Sequence, residues 1–318
     1  MPHWCPLEQF RLIRFMAHFL SNILRSPDNG EPLQYDAAAN EWTSLDGSFR
    51  YSMLSAIPVL LSKEAAGKTM QAEQHRHLNT QFSYTEHYQT DAELFDYFDV
   101  ERDGGYIHES RRLHEVILSE LPAHTATVLD AGCGSAWVAQ HLCPRGISVV
   151  SMDISTVNPL RAMERYPYEN HAAVVADVYA LPFQEGAFDA IIASEIIEHV
   201  ADPGAFIRAL LPALKPGGAL IITTPYAEKI IYSLCIHCNQ PTPMHAHLHS
   251  FTADALLALT PKPLQHKTMV YAFGNKALIR LQTHVVLRFL PFGLWRLVDK
   301  LANLMVKKPS RLLLRVSR

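Results

Sequence analysis

A short run of small residues after an apolar segment constrains the fold of this chain more than any other sequence feature. Val128-Leu129-Asp130-Ala131-Gly132-Cys133-Gly134 predicts a buried strand, a tight turn and the start of a helix. The glycines carry no Cβ, so the backbone can pass close to a ligand, and the following helix directs its first N–H groups there. A second apolar run, from Ile147 to Met152, ends at Asp153. An acid about 20 residues after such a turn is where α/β proteins bind a ribose, so the pattern predicts a nucleoside cofactor.

The residues that the motif lacks narrow the choice of cofactor. A dinucleotide site would need a third glycine or an alanine where Trp137 stands. A phosphate-binding loop would end in Gly-Lys-Ser or Gly-Lys-Thr, and the turn has no such ending. NAD and ATP are therefore disfavoured.

Further motifs follow at the spacing of alternating strands and helices. Ala173–Val178 predicts a third strand that ends in an acid, Ala190–Ala193 a fourth strand, and Leu214–Ile222 the turn into a fifth. Taken together, this series resembles the class I S-adenosylmethionine (SAM) methyltransferases over about half of the chain. The resemblance implies a Rossmann-like α/β fold with seven strands, mostly parallel, in which the last strand is antiparallel.

The resemblance also implies SAM as the cofactor and assigns its contacts. The glycine turn would face the amino-acid part of SAM, the acid after the second strand would bind the ribose, and the acid after the third would bind adenine. The end of the fourth strand would face the reacting methyl group. The implied contacts are Asp130, Ala131, Gly132, Cys133, Gly134, Asp153, Ile154, Asp177, Val178 and Ser194.

The chain divides into four predicted regions: an amphipathic helix over residues 1–24, a small β-rich domain over 25–66, a helical lid or linker over 67–120, and the SAM-binding domain over 121–318. The second region resembles the zinc-ribbon activator domains found beside methyltransferases. Its metal positions hold Ser26, Asn29 and Ser44 in place of cysteines, so a tetrahedral zinc site is excluded there. We expect a degenerate ribbon docked on the catalytic domain, with an ordinary β-meander as the alternative.

Aromatic residues precede the glycine turn, where relatives place a lid over SAM. Aromatic faces suit a sulfonium cation, and Tyr84 and Tyr106 are the two predicted contacts. The alternative for most of these rings is ordinary helix packing.

Methyl transfer is an in-line displacement that requires alignment of donor and acceptor, exclusion of water and, for hydroxyl or ammonium acceptors, a base. His199, with Glu195 and Glu198 nearby, is the best-placed candidate, and Tyr226 is the next. The alternative for His199 is a histidine that caps or packs the helix start, and Glu198 would then only bond backbone N–H groups.

Seventeen histidines raise the question of a metal. Cys235 and Cys238, followed by His245, His247 and His249, are ligand types that zinc prefers. However, the stretch 247–252 resembles a segment that follows strand five in the methyltransferases and binds no metal. We therefore predict no metal site, and we interpret His245 and His247 as pocket-wall or base candidates. We expect the insertion from Pro225 to His249 to form part of the acceptor pocket.

The tail mixes apolar residues with arginines and lysines. A basic amphipathic helix of this kind can lie on an anionic membrane. The favoured interpretation is a helical insertion over residues 276–308, between strands six and seven, whose apolar face covers the sheet.

Composition sets the remaining expectations. The net charge of −3 gives no support for a nucleic-acid partner, and five cysteines without a paired framework suit the reducing cytoplasm.

The sequence predicts a transferase that moves the SAM methyl group to an O or N atom of a small metabolite, glycan or natural-product intermediate. Two alternatives stay open: an enzyme of this fold that cyclises SAM and releases methylthioadenosine, and a non-catalytic SAM-binding scaffold.

Overall fold

The computed structural model describes residues 19–63, 69–70, 82–98, 103–236 and 239–318. Residues 19–21 are helical, but most of the predicted helix over 1–24 lies outside the described residues, as do His237 and Cys238. None of the helices in these ranges is long and apolar enough to cross a membrane.

The first part of the described chain is built mainly from short strands. Four of them form an antiparallel meander: β1 (Leu33–Asp36), β2 (Glu41–Ser44), β3 (Arg50–Leu54) and β4 (Ile57–Leu60). A separate pair follows, β5 (Thr69–Met70) with β6 (Phe82–Ser83). Two helices then lead to the glycine turn, α1 (Tyr84–Leu94) and α2 (Gly104–Ser119).

Five parallel strands form the centre of the fold: β7 (Thr127–Ala131), β8 (Ser148–Asp153), β9 (His171–Ala176), β10 (Phe188–Ser194) and β11 (Leu214–Pro225). Their order is β9-β8-β7-β10-β11, and most of their residues are buried, as expected for strands covered on both faces. The helices α3 (Trp137–Leu142), α4 (Val157–Arg165) and α5 (Pro203–Leu210) lie in the connections. The strand order reverses next to β7, which places a ligand crevice at the carboxyl ends of these strands.

The rest of the chain completes the sheet and adds an insertion. A hairpin of β12 (Tyr232–Leu234) and β13 (Pro241–Pro243) precedes α6 (Ala253–Ala258) and β14 (Thr268–Asn275). Then α7 (Lys276–Arg280), α8 (His284–Leu287) and α9 (Phe292–Met305) lie between β14 and the last strand, β15 (Pro309–Ser317). This last strand runs antiparallel to both β11 and β14. The predicted α/β fold with a mostly parallel central sheet is confirmed.

The small β-rich region contacts the central sheet directly through its last strand. Val59 and Leu60 in β4 pair in parallel with Val175 and Ala176 in β9, so the meander extends the central sheet to 11 strands. A parallel pairing of this kind leaves no local trace in the sequence. The similarity to a ribbon domain remains a prediction.

Hydrogen bonds stabilise the loops where the ribbon resemblance places metal ligands. The hydroxyls of Ser26 and Tyr51 lie 2.7 Å apart, and Ser44 donates to Asp46 at 2.6 Å. Asn29 also donates to Asp46, at 3.2 Å. Side-chain hydrogen bonds therefore link these positions to their neighbours in the meander.

The expectation that the apolar face of the insertion covers the sheet is wrong for the leucines of α9. This helix packs through Trp295 and Asp299, which are buried, whereas Leu297, Leu301 and Leu304 are exposed. Polar contacts of Asp299 and Asn303 with Gly274 explain this orientation.

Candidate active site

The carboxyl ends of four neighbouring strands bring the predicted cofactor residues together. Asp130 lies near the end of β7, Asp153 ends β8, Asp177 follows β9 and Ser194 ends β10. Because these strands are parallel and adjacent, the four side chains lie at one edge of the sheet. The intervening helices begin at the same edge.

The glycine turn is shaped by two positive φ angles. Gly132 has φ +78° and Gly134 has φ +45°, a region that L side chains rarely adopt. The N–H groups of Gly132 and Cys133 both donate to the Met152 carbonyl, at 2.8 and 2.9 Å, which ties the turn to the end of β8. A Cβ on Gly132 would lie 2.5 Å from Cδ1 of Ile196, whereas a Cβ on Gly134 would have no atom within 4 Å. The turn is therefore packed on one side and open on the other, as a ligand cradle requires.

Replacing Gly132 by alanine tests this packing. We expect a loss of stability of about 2–3 kcal/mol, because the positive φ costs about 1–2 kcal/mol and the new methyl group meets Ile196. Gly30→Ala is the matched control, since Gly30 has φ +76° but a Cβ there would have no atom within 4 Å. Chemical unfolding of both variants measures the difference. Equal losses would show that Ile196 imposes no constraint.

Asp153 is held in place by three donors. Its carboxylate accepts from the N–H of Ser155 at 3.0 Å, the amide of Asn158 at 3.1 Å and the N–H of Gly134 at 3.4 Å. Burial nevertheless raises the pKa of Asp153. A fixed carboxylate beside the glycine turn is suited to accept hydrogen bonds from ribose hydroxyls.

The two other acids differ in their surroundings. Asp177 is buried and accepts from the N–H of Tyr179 at 2.9 Å. Asp130 is only 2% exposed, and its Oδ2 has no hydrogen-bond partner. Burial and the nearby Asp153 carboxylate raise the pKa of Asp130 well above its ordinary value. A buried acid beside the turn, with one carboxylate oxygen that has no partner, is suited to a cationic ligand group.

The two predicted aromatic contacts occupy different surroundings. Tyr84 is buried, with its ring 5.1 Å from that of Tyr88 and 6.0 Å from that of Tyr179. Burial and the charges of Asp177 and Asp153 raise the pKa of Tyr84. Tyr84 therefore lies near the two acids that are predicted to bind the nucleoside. Tyr106 is 50% exposed and lines a neighbouring cavity.

That cavity has a volume of about 530 Å³ and lies between the start of α2 and the insertion, a size typical of small-molecule sites. Arg311 lies in its wall and pairs with Glu109 and with Glu195, at 3.2 Å each. Glu195 directly follows β10 and has a positive φ of 57°. The arginine therefore connects the cavity to the end of the fourth central strand.

Sequence reasoning missed Glu109 and Arg311. Arg311 lies 202 residues after Glu109 and 116 residues after Glu195, its two ion-pair partners. No local sequence motif therefore connects these residues. The one available signal was a charged residue at the start of the apolar run Leu312–Leu314.

A cluster of acids and imidazoles follows Glu195. Glu198 is 1% exposed, and neither of its carboxylate oxygens makes a well-aligned hydrogen bond, although the Thr224 hydroxyl lies close to it. Burial and the charge of Glu195 raise its pKa well above the ordinary value. The His199 ring lies 4.7 Å from the His247 ring, and Nδ1 of His247 lies 2.6 Å from Glu228. Burial, followed by the His247 charge, lowers the pKa of His199 to about 3, so this imidazole is neutral at pH 7.

The structure brings together two of the three predicted catalytic residues. Glu195 and His199 both belong to this cluster at the end of β10. Tyr226 packs against the main core, its N–H donates to the Ser310 carbonyl at 2.9 Å, and its carbonyl accepts from Lys276 at 3.2 Å. Its part in catalysis stays a prediction.

This fold and this crevice define the class. A parallel sheet in the order found here, a glycine turn after its first strand and acids after the next two are the features of a class I SAM-dependent methyltransferase domain. Residues 105–260 match a family model described as a methyltransferase domain. This part of the chain is therefore a methyltransferase domain, and SAM is the cofactor of its family.

Curated relatives match part of the chain. It is 31% identical over 126 residues to a ubiquinone biosynthesis O-methyltransferase of Xanthomonas axonopodis pv. citri (strain 306), covering 38% of this chain and 52% of that protein. A protein of the same name from Hydrogenovibrio crunogenus (strain DSM 25203 / XCL-2) is 25% identical over 197 residues, covering 60% and 75%. The chain spans about half the length of most of the first relatives it matches.

Among solved structures, the chain is similar to an S-adenosylmethionine dependent methyltransferase from Mesorhizobium loti. The identity is 17%, the match covers 66% of this chain and all of that one, and the TM-score is 0.45.

Proposed function

We propose that the protein transfers the methyl group of SAM to a hydroxyl oxygen of a small-molecule or glycan acceptor. The observation that carries this proposal is the position of the buried Glu198 carboxylate. It lies four residues after the end of β10, beside the crevice proposed to bind SAM. Curated relatives named as O-methyltransferases support an oxygen acceptor. The 530 Å³ cavity beside Arg311 is the proposed acceptor pocket. Its lining comes from the start of α2, the end of β14, the insertion over residues 276–308 and Arg311, and not from the 225–249 segment that the sequence suggested.

In this proposal each part of the crevice holds one part of SAM. Asp153 accepts hydrogen bonds from the ribose, Asp177 binds the adenine amino group, and Tyr84 covers the nucleoside. The turn at Gly132 and Gly134 receives the amino-acid part. The sulfonium methyl then points toward Ser194 and Glu195, where the acceptor oxygen attacks in line with the carbon–sulfur bond.

The acceptor proton must leave as the new bond forms. His199 is neutral but only weakly basic, because its pKa is lowered to about 3. Glu195 is already paired with Arg311. The raised pKa of Glu198 makes its carboxylate the stronger base of the cluster once it is ionised. We therefore add Glu198 to the proposed catalytic residues.

Mass spectrometry of the products tests the proposal. The purified protein is incubated with SAM, with and without a panel of catechols, phenols and hexoses, and the nucleoside products are identified. We expect S-adenosylhomocysteine and a methylated acceptor with at least one member of the panel. Methylthioadenosine formed without acceptor would instead establish SAM cyclisation, and calorimetry showing no SAM binding would establish a scaffold.

A further inference from the structure

Buried polar atoms without hydrogen-bond partners are concentrated at the ends of β10 and β11. Five of the eleven such atoms in the described residues are found there: Glu195 Oε1, Glu198 Oε1, Glu198 Oε2, His199 Nδ1 and Thr224 Oγ1. Each buried polar atom left unpaired costs about 1–3 kcal/mol. Three carboxylate oxygens and an imidazole nitrogen in one buried place are suited to bind a positively charged species.

The geometry of the cluster matches a metal site. Glu198, His199 and His247 each offer one ligand atom, and these atoms all lie within 4.8 Å of one another. Nδ1 of His247 lies 2.6 Å from Glu228, so Nε2 is the nitrogen of this ring that an ion would bind. A carboxylate that orients a histidine through its second nitrogen is the usual support of a metal-binding imidazole.

We propose that Glu198, His199 and His247 bind a divalent transition-metal ion, with the Glu195 carboxylate beside it. Two imidazoles and a carboxylate suit zinc, manganese, iron(II) or cobalt(II) better than calcium or magnesium, which prefer oxygen ligands. This site differs from the cysteine-containing arrangement considered from the sequence, since only His247 is common to both. It replaces our sequence-based prediction of no metal site.

Three protein ligands leave a coordination position open for a further oxygen. If the acceptor hydroxyl binds there, the ion would lower its pKa. The Glu195 carboxylate beside the site would then accept the proton, with Glu198 serving as a ligand in place of its role as base. This catalytic role rests on the proposed function, whereas metal binding itself does not.

Cobalt titration tests the site without any substrate. The full-length protein is stripped with a chelator and titrated with Co²⁺, whose visible absorption reports imidazole and carboxylate ligation, and then with Zn²⁺ by calorimetry. We expect one equivalent to bind, with the affinity at least 100-fold lower in Glu198→Gln and in His247→Ala. Glu228→Gln should weaken binding by about 10–100-fold, because it removes only the orienting carboxylate.

His245→Ala is the matched control, since this exposed histidine lies on the same loop with its ring 6.0 Å from that of His247. Calorimetric SAM binding by each variant verifies that it is folded. Undiminished affinity in His247→Ala, or no visible band in the wild type, would overturn the metal site. Metal binding without any methylated product would contradict the proposed function alone.

A second, independent observation concerns the insertion over residues 276–308. The described residues include 22 large exposed apolar side chains, and half of them lie in this tenth of the chain. In α9 they recur at helical spacing on one face: Leu294, Leu297, Leu301, Leu304 and Met305. Ile279, Leu281, Val285, Val286, Phe289 and Val306 complete the exposed set.

Polar contacts on the inner side fix the orientation of α9. Asp299 accepts from the N–H of Gly274 at 3.2 Å, and Asn303 donates to the Gly274 carbonyl at 3.2 Å. Asn275 in turn donates to Asn303 at 2.9 Å. The leucine face therefore points outward because the opposite face is hydrogen-bonded to the end of β14.

The insertion also concentrates positive charge. It contains seven lysines and arginines, and its one acid, Asp299, is buried. Its net charge is thus +6, against −9 for the rest of the chain. Lys300 and Arg288 are exposed beside the apolar side chains. Charge of this sign, together with exposed leucines, matches the chemistry of an anionic lipid surface.

The geometry points to the insertion as a membrane-docking surface that lies on an anionic bilayer, with its leucines among the acyl chains. Co-sedimentation of the full-length protein with phosphatidylcholine vesicles, with and without phosphatidylglycerol, tests this. We expect binding only to the anionic vesicles, reduced at least tenfold in the triple variant Leu297→Ser, Leu301→Ser, Leu304→Ser. The control is Leu45→Ser with Leu94→Ser, two exposed leucines outside the insertion. Equal vesicle binding by the triple variant and the control variant would overturn the proposal. A wild-type protein that is dimeric, with a triple variant that is monomeric, would overturn it too.

Discussion

Replacing Asp153 by alanine is expected to weaken SAM binding on the order of 100-fold. The carboxylate lies at the carboxyl end of β8, held by Ser155, Asn158 and Gly134, where it can accept from both ribose hydroxyls. Hydrogen bonds to a charged group contribute about 1.5–3 kcal/mol each, so losing the pair costs about 3 kcal/mol, the equivalent of roughly two decades in Kd. Isothermal calorimetry with SAM measures the change directly.

The pH dependence of stability separates lost binding from lost folding. Burial raises the pKa of Asp153 in the folded protein, so the stability associated with this group is present below its unfolded pKa and is lost as the pH rises through the folded pKa. As the pH rises from 4 to 8, the wild type should therefore lose stability relative to the SAM-free alanine variant, which lacks this carboxyl group. Asp202→Ala, which removes a helix cap at 2.8 Å from the Ala205 N–H, should destabilise the protein while leaving SAM affinity unchanged. Equal SAM affinity in Asp153→Ala and wild type would contradict the assignment of the ribose contact.

The parts of the site that the sequence predicted are those encoded locally. A strand, a glycine turn and a helix occupy consecutive residues, so the positions of Gly132 and Gly134 follow from their neighbours alone. Asp153 and Asp177 also follow from the end of one apolar run each. Because the strands are parallel and adjacent, their carboxyl ends bring these local features to one edge of the sheet. No long-range contact has to be predicted for this.

The parts that the sequence did not predict depend on distant contacts. The pairing of β4 with β9 brings together segments more than 100 residues apart, and the ion pairs of Arg311 join three separate elements. Glu198 and His247 were each visible in the sequence, but their proximity depends on how the loop after β11 folds back. The outward leucines of α9 likewise follow from Asp299 and Asn303 packing inward, which reverses the usual orientation of an amphipathic helix.

Replacing Arg112 by alanine is expected to destabilise the protein by about 3 kcal/mol. This side chain is 2% exposed and donates to the carbonyls of Leu287 and Leu290, at 2.8 and 2.7 Å. It also pairs with Glu115 at 2.6 Å and lies 5.2 Å from the centre of the Trp295 ring. Removing one partner of a buried ionic network leaves the others unpaired, which typically costs about 3–5 kcal/mol.

Arg111→Ala is the matched control for that variant. Arg111 is its neighbour in α2, pairs with the same Glu115 at 3.0 Å and donates to the Arg288 carbonyl at 3.1 Å, but its side chain is 49% exposed. An exposed pair contributes about 0–1 kcal/mol, so this variant should unfold close to wild type in a urea titration. Because Arg112 holds the segment between α8 and α9, its loss should also speed proteolysis within residues 276–308 before the central sheet unfolds. Similar midpoints and similar cleavage rates for the two variants would show that the insertion is held to α2 by its apolar contacts, with the buried guanidinium adding nothing.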